Sequence, residues 1–416
     1  MKKLIIKRVL IYFIVALMLL AFTSAGFANV VRPGGPSTEG RTMNEGIVQY
    51  EDHIRTLERI ERTSRGNVEV FTLDKYGKSD EGRSIYCAKV GDGDTVFFAI
   101  ARIHGGEQTP TKATLDLLHS LGSSGNRMYD KIRNEMTLYV IPIANPDGSE
   151  LNIRGTPIEW EGETVNLDMN RDWTTFCYDT HDWQLGTPLQ QSWVGFNSAS
   201  SQALYKFWCD IKPDYFLDIH TIGTGRVVPD GDWYSSFQIG ISLAPGGPTL
   251  PHTPYEDIAR QMAVSAYRGL TDNRGGNVAV DRYYVGWTPD IVGFLDYWGG
   301  VSSAVMVGVN WEGYNDAGHS CPAIFFETRG NTYDGSFGQR AQGYLSKQNY
   351  YAMRGLLHDI ATGDIYNIDP EGWDNEIPHF PNAFYMTDHA FMSPLDFERP
   401  CADWEHSVWD CPCPCP

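Results

Sequence analysis

Apolar and polar positions along this chain switch repeatedly between a helical and an extended period. Residues 45–64 carry Ile47, Tyr50, Ile54, Leu57 and Ile60 at helical spacing, which predicts an amphipathic helix. Residues 68–73 and 85–90 are short β-prone runs flanking 77–83, and predict two strands around a turn. Residues 95–103 (TVFFAIARI) are apolar almost throughout, as in a strand buried on both faces. A helix is predicted directly afterwards over 109–121, with Pro110 in its first turn. A second buried strand, 136–144, enters Asn145-Pro146-Asp147-Gly148. Residues 200–211 form a helix whose apolar face carries Leu204, Phe207 and Trp208, and 256–270 and 339–360 are further helices. Shorter apolar runs at 215–219 and 323–326 read as strands. Strands alternating with helices predict an α/β fold: a mixed, mostly parallel central sheet flanked by helices on both faces, in a single large domain. Residues 221–255 and 271–315 are long, rich in Gly, Pro and aromatics, and are expected to build a pocket.

The first residues do not belong to this pattern. Lys2, Lys3, Lys7 and Arg8 precede an apolar run from Val9 to Phe22, and Gly26-Phe27-Ala28 resembles a signal-peptidase site. That run of 14 residues is short against the ~20 needed to span a membrane. The expectation is therefore a signal peptide over 1–28 and a secreted, extracellular or periplasmic protein without stable membrane association after cleavage. Residues 29–42, rich in Pro, Gly and Ser, read as a linker. Loss of the four basic residues takes the net charge from −19 to −23, which disfavours nucleic acid and anionic lipid as partners. Eight cysteines are present, three of them in the terminal Cys411-Pro412-Cys413-Pro414-Cys415, and their spacing defines no connectivity.

The chemistry concentrates at the ends of the apolar runs. His104 and Glu107 follow the 95–103 run, His220 follows 215–219, and Glu327 follows 323–326. In an open α/β sheet, ligands bind outside the carboxyl ends of the strands. Two His and one Glu form the ligand set of a catalytic zinc with an open fourth position, which leaves the second Glu to act as a base. The reaction this points to is zinc-assisted hydrolysis. HxxE alone is a weak signal, equally a strand-end His and a helix-capping Glu. Its placement between a buried strand and a helix start, with Gly105 and Gly106 permitting close approach, favours the metal. Asp218 shares a strand face with His220, either as its partner or as a strand-end carboxylate held by backbone.

Six ordered motifs over about 45–362 resemble the zinc metallocarboxypeptidase family, the carboxypeptidase A-like enzymes. They are Gly77-Lys78-Ser79-Asp80-Glu81-Gly82-Arg83-Ser84-Ile85, the HxxE pair, Asn145-Pro146-Asp147-Gly148, Asn166 to Trp173 (NLDMNRDW), His220, and Phe326-Glu327-Thr328-Arg329. The resemblance implies a carboxypeptidase-like catalytic domain over 43–363 with one Zn2+ per chain, held by His104, Glu107 and His220. It implies Glu327 as general base, Asn170 and Arg171 as the clamp on the substrate's terminal carboxylate, and Asp168 as the carboxylate orienting His104. Arg154 is the candidate for stabilising the oxyanion, and Tyr314 or Tyr297 for the family's mobile tyrosine. The implied activity is hydrolysis of the C-terminal bond of peptides or proteins. Two departures bear on substrate orientation: Gly106 stands where the pancreatic-type enzymes have Arg, and Asp172 follows Asn170-Arg171 and is expected to add negative charge beside the clamp. About 50 residues between Ala28 and Gly77 leave no room for an inhibitory pro-domain.

Two other readings keep the fold. One is an amidase or deacylase acting on N-acyl amino acids or cell-wall peptides. The other is a non-catalytic binding protein, disfavoured because all three ligands and the base are present. Arg226, Asp281 and Asp296 are the charged residues that could set the preferred C-terminal side chain. Residues 364–416 are expected to be a C-terminal extension.

Overall fold

A computed structural model describes residues 49–160, 162–173, 196–222, 226–227, 237–241, 255–272, 280–283, 319–329, 339–378 and 384–385. The expected signal segment, linker and Cys-Pro tail, with Asp296, Tyr297 and Tyr314, lie outside these residues, as do the side chains of Arg171 and Arg226. In chain order the strands are β1 (Val68–Thr72), β2 (Tyr86–Val90), β3 (Thr95–Ala101), β4 (Met136–Ile141), β5 (Thr156–Trp160), β6 (Glu163–Leu167), β7 (Tyr215–Ile222), β8 (Arg226–Val227), β9 (Phe237–Ile241), β10 (Val280–Arg282), β11 (Ala323–Arg329) and β12 (Phe384–Tyr385). The helices are α1 (Tyr50–Thr63), α2 (Thr109–Ser123), α3 (Arg127–Glu135), α4 (Pro146–Leu151), α5 (Ala199–Ile211), α6 (Glu256–Asp272), α7 (Gln339–Thr362) and the short α8 (Gly372–Asn375).

Eight strands form one sheet in the order β1-β2-β4-β3-β7-β11-β9-β10. Its centre, β4-β3-β7-β11, is parallel; β1 and β2 run against their neighbours, and β9 is antiparallel to β11 but parallel to β10. The continuous apolar character of β3 follows from this position: Phe97 and Ala99 face one core, Phe98 and Ile100 the other. On the first face pack Leu57 and Ile60 of α1, Leu117 and Leu121 of α2, Met262 of α6 and Leu356 of α7. On the second lie Ala203, Leu204, Phe207 and Trp208 of α5. The mixed α/β sheet with helices on both faces is thus present.

Several elements went unread in the amino-acid pattern. The stretches expected as long loops contain β8, β9 and β10. His220 and Glu327 lie inside β7 and β11, which continue two residues beyond each. Packing does not stop at residue 363 either. Ile365, Ile368, Trp373 and Ile377 join the first core. Arg260 and Arg268 of α6 pair with Asp374 and Glu376, and Arg282 N donates to Pro378 O at 2.9 Å.

Candidate metal centre

The segment between β3 and α2 is fixed before any ligand is considered. Asp147, fully buried, accepts hydrogen bonds from Ser79 Oγ (2.7 Å), Glu81 N (2.9 Å) and Arg83 Nη1 (2.7 Å), which docks residues 79–83 onto the start of α4. Asn145 caps α4 by accepting from Gly148 N, and its Nδ2 donates to the carbonyls of Ile103 and Gly155. Gly105 N donates to Arg154 O at 3.1 Å. A Cβ on Gly105 would stand 2.0 Å from the Gly148 carbonyl carbon, so only glycine allows these backbones to approach. Arg102, fully buried and in the left-handed region at φ 60°, donates from Nε to Gly105 O at 2.7 Å. The segment carrying His104 and Glu107 is therefore clasped from three sides.

His104, Glu107 and His220 converge: one ligand atom from each lies within 4.8 Å of the others, and all three residues are buried. The Nδ1 atoms of His104 and His220 face each other at 3.3 Å. Glu107 Oε1 lies 2.6 Å from His104 Nδ1, and Oε2 lies 3.3 Å from His220 Nδ1. Two nitrogens bound tetrahedrally at ~2.05 Å would stand ~3.3 Å apart, so the pair fits a zinc ion without rearrangement. The outer edges of both rings meet carboxylates. Asp168 Oδ1 is 3.2 Å from His104 Nε2, and Asp218 Oδ2 is 2.9 Å from His220 Nε2. A carboxylate at Nε2 holds the proton there and turns the Nδ1 lone pair toward a metal. Thr221 N adds a hydrogen bond to Glu107 Oε2 at 2.9 Å.

The electrostatics follow this packing. Burial acts to raise the Glu107 carboxyl, but His104 and His220 outweigh it and hold it well below the usual range. Burial acts to lower His220, but Asp218 and Glu107 outweigh it and hold it well above the usual imidazole range.

Glu327 is the register partner of His220 on the adjacent strand, and is 8% exposed. Burial first, then the nearby Glu107 and Asp218, push its carboxyl up to about 8, against the opposing pull of His220 and Arg154. Arg154 is half-exposed, donates from Nε to Asp168 Oδ2 at 2.8 Å, and has Nη1 3.9 Å from Glu107. Asp168 also accepts from Asn170 N at 2.9 Å, capping the single 3-10 turn Met169–Arg171. One carboxylate thus ties His104, Arg154 and Asn170 together, and Asn170 is buried beside it. Asp172 does not add charge to the clamp as expected. It is fully buried, and its oxygens accept from Asn197 N and Ser198 N, both at 2.7 Å, just before α5.

A family profile described as zinc carboxypeptidase matches residues 56–297. Among curated relatives, a zinc carboxypeptidase of Simulium vittatum is 25% identical over 234 residues, covering 53% of this chain and 71% of that one. Bacteriocin BCN5 of Clostridium perfringens is 31% identical over 116 residues, which are 27% of this chain and 12% of the bacteriocin. Among solved structures, carboxypeptidase A from Helicoverpa armigera superposes with a TM-score of 0.51 at 17% identity, over 77% of each chain. The profile spans more than half of the sequence and contains His104, Glu107, Asp168 and His220. With this cage at the carboxyl edge of a mixed α/β sheet, the chain belongs to the zinc carboxypeptidase family.

Proposed function

We propose that this protein is a zinc-dependent carboxypeptidase, exported from the cell, that removes single residues from the C-termini of peptides. The observation carrying this reading is Glu327 standing beside an intact His104–Glu107–His220 cage, with Arg154 held by Asp168 and 3.9 Å from Glu107. Zinc, when bound, lowers the pKa of water to about 7 and polarises a carbonyl. Glu327 accepts the proton of the attacking water and delivers it to the leaving amine. Arg154 faces the oxyanion as charge develops there. Asn170 and Arg171 hold the terminal carboxylate, a task suited to the planar fork of a guanidinium. That carboxylate is what separates a terminal from an internal peptide bond. Asp168 and Asp218 hold the two imidazoles in position.

The test compares residues 29–416 with and without a chelator, and a Glu327→Gln variant, on a mixed peptide library read by mass spectrometry. Stepwise C-terminal loss that needs both metal and Glu327 is expected. An unchanged library with zinc still bound would overturn the peptidase and favour the amidase or deacylase reading.

A further inference from the structure

Asp172 and Asn197 stand 25 positions apart in the chain, yet one residue joins the turn that carries Asn170 and Arg171 to the start of α5. Asp172 N donates to Met169 O at 3.1 Å and closes that turn, and its carbonyl accepts from Phe196 N at 2.8 Å. Its carboxylate accepts on Oδ1 from Asn197 N at 2.7 Å and Asn197 Nδ2 at 3.2 Å, and on Oδ2 from Ser198 N at 2.7 Å. Two of these three bonds are short, as expected of a charged acceptor, and the carboxylate is fully buried. Alongside, the Trp173 and Phe196 rings meet edge-on at 5.7 Å between centroids, and Phe196 stacks on Tyr205 of α5 at 4.7 Å.

The far side of this junction is itself anchored. Ser198 caps α5, its Oγ accepting from Ser200 N at 3.1 Å, and the same hydroxyl donates to Asp80 Oδ2 at 3.0 Å. Asp80 Oδ1 accepts from Ala199 N at 3.1 Å. Asp80 lies in the 79–83 turn that Asp147 docks onto α4, and α4 supplies Gly148 against Gly105. The turn Met169–Arg171 is therefore held from two directions. Asp168 ties its start to His104 and Arg154. Asp172 ties its end to α5 and, through Asp80, to the frame that carries the metal ligands. A short turn fixed at one end can pivot; fixed at both, it presents its side chains in one place. The fixing needs a carboxylate, because a neutral amide would turn its NH2 toward one of the two backbone donors.

We propose that Asp172 is the positioning residue of the carboxylate clamp: by fastening the turn to the start of α5, it sets where Asn170 and Arg171 meet the substrate's terminal carboxylate. This rests on the carboxypeptidase reading and adds to it a residue that touches neither substrate nor metal. A contact made equally with bound substrate and transition state acts on KM and leaves kcat alone. Loss of folded protein does the reverse: it lowers apparent kcat and zinc content and spares KM.

The experiment measures kcat, KM and zinc content of the zinc-loaded protein for Asp172→Asn and Asn197→Asp on peptides that the wild type cleaves. Asn197→Asp leaves Asp172 in place and sets a second carboxylate against it from a partly exposed position, so it carries the test if the first variant does not fold. KM is expected to rise ~10-fold in Asp172→Asn and ~3-fold in Asn197→Asp, with kcat within ~2-fold of wild type and zinc retained. A fall in kcat at constant KM, unchanged kinetics in both variants, or unfolding of both would overturn the proposal by assigning the contact to stability alone. Calorimetry of N-acetyl-L-leucine and its C-terminal amide with the zinc-loaded protein is independent of turnover. If no peptide is cleaved, the peptidase reading fails by itself. Tighter binding of the acid than of the amide in wild type, lost in Asp172→Asn, would then still support the positioning role. No such preference in wild type, or one that Asp172→Asn leaves intact, would sink it.

Discussion

At the scale of single residues, the metal cage depends on pairs of contacts, one on each side of a ring. Removing an inner ligand, as in His104→Ala or His220→Ala, should abolish the one-to-one zinc content measured by atomic absorption. Removing an outer partner should be milder. Asp168→Asn and Asp218→Asn are each expected to weaken zinc ~10- to 100-fold in a chelator competition while the fold persists. Glu327 has a pH signature. Its carboxyl is pushed up to about 8 in the metal-free protein, against ~4.3 in an unfolded chain. The folded state then holds the proton more tightly, so the contribution favours folding at low pH. It is lost as pH rises from the unfolded value toward 8, at up to about 1.4 kcal/mol per unit. Thermal melts of the metal-free protein should show Tm falling between pH 5 and 8, and Glu327→Gln should flatten that slope. A Tm that rises across this window in the metal-free protein would contradict the assignment.

At the scale of elements, the segment joining β3 to α2 is held by the start of α4, and two substitutions test this. Gly105→Ala forces a methyl into the Gly148 backbone and should cost about 3–5 kcal/mol in a denaturant titration, with zinc lost as well. Asp147→Ala leaves Ser79, Arg83 and Glu81 N without their shared acceptor and should cost about 2–4 kcal/mol. This is also where sequence and structure part company. The buried strands β3 and β4 were legible because long apolar runs mean little else, α1 because of its helical spacing, and α2 because Pro110 opens it directly after the HGGE segment. β9 was not: Phe237–Ile241 is short and contains Gly240, whose role is to make room for the Phe325 ring, a tertiary fact. β10 is three residues long and includes Asp281 and Arg282, so its apolar signal is close to nil. Within the site, the ligands were legible from spacing and family order. The pairing of Asp218 with His220 was one of two readings left open by a period of two. The role of Asp172 was misread, because proximity to the clamp in sequence says nothing of which way the carboxylate turns.

At the scale of the whole molecule, the chain is tied together by its own late segments. Residues 365–377 supply four apolar side chains to the core beside α6. Full burial of such side chains contributes roughly 1.5–3 kcal/mol each. Ending the chain at residue 363 should therefore lower Tm by more than ~10 °C in a melt of the zinc-loaded protein, or prevent folding. A truncated chain melting with the full-length protein would show that this segment is dispensable. The last long strand has a further role. Among the described strands, β11 inserts between β7 and β9 and so joins β9 and β10 to the rest of the sheet, and it carries Glu327. All three metal ligands precede it by about 100 residues or more in the chain. A chain that stops before β11 would lack both Glu327 and the partner that pairs with β7 beside His220. Metal capture and placement of the neighbouring carboxylate are therefore expected to be completed together, late in folding.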